Sequence, residues 1–119
     1  MSARLEPTLR GWGRVLVEGN SMLPTLRSGD RCLVRWGAPP RLGDVVVARR
    51  PDRPDRPDLL VIKRLTAREA DGAWLEGDNR DGSHDSWVFG AVAEVDLLGV
   101  VRMRYRPRPS RIARAVGHC

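Results

Sequence analysis

Short runs of alternating apolar and polar residues, separated by glycine, proline and aspartate, recur along the 119-residue chain. Alternation with a period of two is typical of β-strands buried on one face. The pattern predicts strands over residues 14–18, 31–36, 44–49, 59–66, 73–76 and 97–106, with a tight hairpin turn at Asp71-Gly72. Because no long helix is predicted, the expected fold class is all-β: a small antiparallel barrel or sandwich of short strands.

The segments between the strands differ in character. A single β domain is expected over residues 1–106, with an irregular first part at residues 1–13. The Asp-Arg-Pro repeat at residues 51–58 is expected to be an extended, exposed hairpin loop. Residues 77–86 form a polar loop, and residues 107–119 are predicted to be a basic tail, either disordered or a short helix.

Composition places the chain among folded globular proteins, with 41% hydrophobic and 30% charged residues. The formal net charge of +6 is compatible with a nucleic-acid or membrane-surface partner. Most of that charge is arginine scattered among aspartates, which favours a solvated surface and no nucleic-acid partner. No segment approaches the ~20 apolar residues of a membrane span, and no signal peptide is recognised. A cytoplasmic protein without an integral membrane segment is therefore predicted.

The two cysteines point to no disulfide framework or metal site. Cys32 lies in an apolar strand pattern and Cys119 is the last residue. We expect a buried thiol and a free tail thiol in a reducing compartment, and no metal or other cofactor.

Lys63 is the single lysine among 21 basic residues. Strand alternation places it on the same face as Val61 and Leu65, whereas Arg64 is expected on the opposite face, in solvent. Burial favours the neutral amine of a lysine, and a neutral amine near a serine can accept the proton of its hydroxyl. The alternative is a lysine that snorkels from the sheet edge to water.

Ser21 is the candidate nucleophile. It follows a predicted strand and Gly19-Asn20, and it begins a turn that Pro24 limits, so its hydroxyl is expected at a backbone corner. The alternative is an N-cap serine. A Ser-His-Asp triad is disfavoured, because His84 and His118 are the only histidines and neither is well placed.

Four motifs in order resemble those of the signal peptidase I family of Ser/Lys proteases. They are the segment 19–26 (GNSMLPTL), the Gly-Asp turns at 29–30 and 43–45, the segment 61–64 (VIKR) and the loop 77–86 (GDNRDGSHDS). Each is weak alone, but their order across residues 15–90 is specific. The resemblance implies an antiparallel β fold like that of signal peptidase and a serine endopeptidase activity.

The resemblance also implies roles by position. Ser21 would attack the scissile carbonyl, and its backbone N–H would bind the oxyanion. Lys63 would act as general base and then as acid, and Ser83 would orient its amine. Three further residues would support the site: Met22 in the substrate cleft, and Asp78 and Asp85 within the last motif.

Two positions depart from the family pattern, which often has serine where Gly19 stands and usually has arginine where Trp87 stands. The short chain without an anchor is most similar to the nickel-type superoxide dismutase maturation proteases. That branch implies a precursor protein as partner, possibly a nickel superoxide dismutase precursor, from which an N-terminal extension is removed. The alternatives are signal peptidase-type processing of secreted precursors and a non-catalytic β-barrel that binds nucleic acid.

Overall fold

The computed structural model describes residues 11–79 and 89–114. Seven strands follow one another in these ranges, with one 3-10 turn before the sixth strand. They are β1 (Gly11–Leu16), β2 (Arg31–Trp36), β3 (Val45–Arg49), β4 (Leu60–Glu69), β5 (Gly72–Glu76), β6 (Leu97–Arg106) and β7 (Ser110–Arg111). The predicted all-β fold class is confirmed. No helix within the described ranges is long and apolar enough to cross a bilayer.

The strands form one antiparallel sheet in the order β1-β2-β6-β3-β4-β5, and β7 pairs with β6. Between the described parts of β1 and β5 there is no pairing, so the sheet is open and does not close into a barrel. Strand β1 lies at one edge of the described sheet, and at the other edge Ala73 of β5 forms an isolated bridge with Val92.

Two apolar clusters lie on opposite faces of the central strand β3. Val45 and Val47 pack in the first cluster, with Met22, whereas Val46 and Ala48 pack in the second, with Leu65. Strand β3 is buried on both faces because side chains of alternate residues point to opposite sides of the sheet. Packing on both faces fixes β3 between its neighbours in the sheet, β6 and β4.

The predicted bounds of β2 and β6 match the observed strands, and the hairpin between β4 and β5 forms around Asp71-Gly72. Strand β1 begins at Gly11, inside the predicted irregular first part of the domain. A side chain on Gly13 would overlap the indole of Trp36, since a Cβ there would lie 1.9 Å from Nε1. The lack of a side chain at Gly13 therefore lets the Trp36 ring pack across β1.

The basic segment after residue 106 is not a disordered or helical tail in its first part. Ser110–Arg111 forms β7, and the Ile112 N–H donates to the Arg102 carbonyl at 3.0 Å. Ile112 packs against the first apolar cluster. The segment is otherwise rich in arginine and proline, and the packing of the half-buried Ile112 explains why it runs alongside β6.

The Asp-Arg-Pro repeat is an exposed hairpin loop between β3 and β4, as predicted, but it is not extended. It is a series of turns, in which the N–H of Arg56 donates to the Arg53 carbonyl at 3.0 Å. The guanidinium of Arg53 binds the carboxylate of Asp55 through two hydrogen bonds of 3.1 Å. The same pairing, two residues apart, recurs in each repeat unit.

Cys32 is a fully buried free thiol, as predicted. Burial and the nearby Asp30 carboxylate raise its pKa to about 11, so the reactive thiolate is scarce near neutral pH. In a Cys119→Ser variant, we expect a thiol reagent at pH 8 to label the native protein slowly and the denatured protein at once. Rapid labelling of the native variant would contradict this assignment.

Candidate active site

A cavity of about 230 Å³ contains both residues that the sequence singled out for catalysis. Residues 16–18, at and just after the end of β1, form one part of its lining, and residues 60–63 of β4 form another. Ser21 lines the cavity together with Met22, and Lys63 lies on the β4 side. The fold thus brings to one cavity two residues that are separated by 42 positions in the numbering of the chain.

The backbone that leads to Ser21 is held by the Gly29-Asp30 turn. The Gly29 N–H donates to the Val17 carbonyl, and the Val17 N–H donates to the Asp30 carbonyl, both at 2.8 Å. The buried Asp30 carboxylate accepts the Arg27 N–H at 2.9 Å, which closes the turn on itself. The segment that leads to Ser21 is therefore held in place by its hydrogen bonds to the Gly29-Asp30 turn.

The Gly43-Asp44 turn repeats this geometry beside Lys63. The Gly43 N–H donates to the Leu65 carbonyl at 2.7 Å, and the Leu65 N–H donates to the Asp44 carbonyl at 2.8 Å. The Asp44 carboxylate accepts the Arg41 N–H at 2.9 Å. Each Gly-Asp turn therefore braces one of the two segments that carry the candidate catalytic residues.

Lys63 is buried, with 4% of the residue exposed, so its amine is not a snorkelling surface group. Val61 and Leu65, which share its strand face, both pack with the second apolar cluster. Burial of a lysine by itself favours the neutral amine over the ammonium.

Arg64 is also buried, which corrects the expectation that it meets solvent. Its guanidinium binds the Asp78 carboxylate through two hydrogen bonds of 3.2 and 2.7 Å. It also donates to the carbonyls of Gly43 and Ala113 at 2.9 and 2.8 Å. Alternation placed Arg64 on the correct face, but the Asp78 loop and the chain after β7 cover that face.

Asp78 joins three motifs that are distant in sequence. Besides binding Arg64 from the segment 61–64, its carboxylate accepts the Thr25 hydroxyl from the segment 19–26. Asp78 itself is the second residue of the loop 77–86. Its predicted supporting role remains a prediction, but these contacts show which groups it holds together.

Asn79 attaches the same loop to the nucleophile segment. Its backbone N–H donates to the Ser21 carbonyl at 2.9 Å, and its side-chain amide donates to the Asn20 carbonyl at 3.0 Å. These bonds fix the orientation of the Ser21 peptide. Within the described residues the Ser21 N–H has no acceptor, which leaves it available to a ligand oxygen.

Gly19 has a φ of +85°, in the left-handed region that favours glycine. A serine at this position would be strained, although no atom lies within 4 Å of its Cβ site. Glycine at position 19, where the family often has serine, is therefore the residue that this backbone conformation favours.

The remaining predicted site residues divide into two groups. Met22 is 1% exposed and lines the cavity with Ser21. Ser83, Asp85 and Trp87 lie outside the described residues. Thr25 was not singled out as a contributor to the site by the sequence, although it lies within the quoted segment 19–26.

Among the groups of the residues that line the cavity are the hydroxyl and the backbone N–H of Ser21 and the amine of the buried Lys63. Within residues 11–79 and 89–114, no three His, Cys, Asp or Glu side chains are grouped as metal ligands. The arrangement suits nucleophilic attack by a hydroxyl with an amine as proton acceptor.

Comparison with known proteins gives three matches. The Peptidase S24-like family model matches residues 12–102, well over half of the chain. Mitochondrial inner membrane protease subunit 1 of Xenopus tropicalis is 31% identical, with 81% of this chain and 70% of that protein covered. A probable signal peptidase I-1 of Synechocystis sp. is 27% identical, with 76% of this chain and 69% of that protein covered.

Proposed function

Because the chain belongs to the Peptidase S24-like family and is a serine protease of the signal peptidase type, we propose that Ser21 is its nucleophile and Lys63 its general base. The observation that carries this proposal is that both side chains line one cavity. Burial of Lys63 supports the neutral amine that such a base requires.

The proposed reaction moves one proton at each step. The Lys63 amine accepts the proton of the Ser21 hydroxyl as Oγ attacks the scissile carbonyl carbon. The Ser21 N–H stabilises the resulting oxyanion. The Lys63 ammonium then gives its proton to the leaving amine as the peptide C–N bond breaks. A water then attacks the acyl-enzyme ester as the Lys63 amine accepts its proton, and the ammonium returns that proton to Ser21 Oγ as the ester C–O bond breaks, which regenerates both groups.

One strand edge beside the cavity fits an extended peptide substrate. Within the described sheet, β1 pairs with β2 alone. Residues 16–18, at and just after the end of this edge strand, line the cavity. A substrate strand bound there would gain main-chain hydrogen bonds from the enzyme.

For the substrate, we propose a precursor protein that loses an N-terminal extension, with the nickel superoxide dismutase precursor as the first candidate. That choice rests on the resemblance of the motif set to that of the maturation proteases. Ser83 orienting Lys63, and Asp85 supporting the last motif, belong to the same proposal, as does a cytoplasmic location.

Signal peptidase-type processing is a second candidate function. It is favoured by the 27% identity to a protein named a probable signal peptidase I-1. The same chemistry serves both candidates, and only the protein that is cleaved differs.

The test is to incubate the purified protein with both kinds of precursor and to sequence the new N-termini. We expect one defined cleavage of a dismutase precursor, absent when a Ser21→Ala variant replaces the wild type. Cleavage of signal-peptide precursors alone would select the second candidate. Cleavage that persists in Ser21→Ala would contradict the proposed nucleophile.

A further inference from the structure

One face of the sheet carries arginines that form no ion pair with the described residues. The strands β1, β2, β6 and β7 contain no Asp or Glu at any position. Five of their arginines are exposed on a common surface, which we call the arginine face: Arg14, Arg31, Arg35, Arg106 and Arg111.

Strand register shows that these side chains share one face, because directly paired residues in an antiparallel sheet point to the same side. The pairs form three rows across the strands: Leu16–Arg31–Arg106, Arg14–Leu33–Met103–Arg111 and Trp12–Arg35–Val100. Val100, at the end of the third row, is buried, whereas the other apolar residues of the rows are exposed or half-buried. The arginine face is thus a continuous surface of cations and apolar side chains.

None of the five arginines pairs with a carboxylate in the part of the chain that the structure describes. Several other arginines do pair with acids, as in the Arg53–Asp55 and Arg68–Glu94 pairs. Arg31 and Arg106 are direct cross-strand partners, an arrangement of like charges that destabilises a sheet. The missing negative charge is therefore expected from a partner.

The exposed apolar residues of the arginine face are typical of a protein-binding surface. Trp12 is 59% exposed and Leu16 is 48% exposed. The Arg35 guanidinium lies 5.5 Å from the centre of the Trp12 ring, a cation–π contact that orders both side chains. Tryptophan, arginine and methionine are enriched at protein–protein interfaces.

The arginine face is continuous with the cavity, because Leu16 belongs to both. A protein whose peptide enters the cavity would therefore lie against this face. We propose that the arginine face is an exosite that binds an acidic surface of the precursor protein while its extension is cleaved. This inference rests on the proposed protease function and adds to it a substrate class: precursors with an acidic region near the cleavable segment.

The test measures binding apart from cleavage, in a Ser21→Ala background. The probe is a fluorescein-labelled peptide rich in Asp and Glu, compared with the same peptide carrying Asn and Gln. The test variant is Arg31→Gln/Arg106→Gln. The control, Arg53→Gln/Arg56→Gln, removes the same two charges from the exposed loop between β3 and β4. Loss of the like-charge pair is expected to leave Tm unchanged or higher, so the test variant should fold.

We expect the acidic peptide to bind in low salt, the neutral peptide not to bind, and the test variant to weaken binding by about tenfold. The loop control should bind like its parent. Equal weakening in both variants, or no binding of the acidic peptide, would overturn the exosite. Tighter arginine-dependent binding to oligo-dT or to phosphatidylglycerol vesicles would replace the protein partner with a nucleic acid or a membrane. The proposed function is judged separately, because it fails only if the wild type shows no Ser21-dependent cleavage.

Discussion

Replacing Lys63 with arginine is expected to remove peptide cleavage as completely as replacing Ser21 with alanine. Arginine keeps the positive charge and much of the length of lysine, but it does not release its proton in a protein. It therefore cannot accept the proton of the Ser21 hydroxyl. We expect kcat/KM to fall by about 10⁴-fold or more in either variant, as it does when a member of a catalytic unit is lost.

The double variant Ser21→Ala/Lys63→Arg supplies the matching control. Residues that act as one unit lose activity non-additively, so the double variant should be no slower than either single one. The measurement is kcat/KM on one precursor for all four proteins. Losses that multiply would mean that the two residues act independently, and normal cleavage by Lys63→Arg would exclude the proposed base.

The second large effect is expected at Asp78, on stability. Asp78→Ala would leave the Arg64 guanidinium, whose side chain is only 10% exposed, without its carboxylate. Breaking one partner of a buried ion pair costs about 3–5 kcal/mol of unfolding free energy. The hydroxyl of Thr25 would lose its acceptor in the same change.

Denaturant unfolding of Asp78→Ala measures this loss. The matched control is Asp55→Ala, which breaks an Arg–Asp pair on the exposed loop and should leave the midpoint unchanged, since exposed pairs contribute little. A midpoint for Asp78→Ala equal to that of the control would show that the contact with Arg64 is not structural.

The strand pattern was predictable because it is local. Residues 31–36 and 97–106 alternate clearly enough that their bounds in the sequence and in the structure agree. The two-residue strand β7 was missed because it lies among prolines and arginines. Its place along β6 depends on burial of Ile112, a contact that no local pattern indicates.

The candidate site was predictable only in part. Ser21 and Lys63 could be singled out, one by its place after a strand and the other as the lone lysine. The surroundings of Arg64 could not be predicted, because alternation gives the face of a strand but not what covers it. The covering group, Asp78, belongs to a loop whose position depends on contacts with Thr25 and Asn20, far away in the chain.

The protonation state of Lys63 is the most direct test of the proposed chemistry. Because the chain has a single lysine, protein labelled with ¹⁵N-lysine gives one side-chain signal, which can be followed by NMR as the pH is raised. If the buried amine is the base, the signal should convert to that of a neutral amine well below the pH at which exposed lysines do so. A signal that stays that of an ammonium up to the ordinary range of lysine would contradict the role of Lys63 as general base.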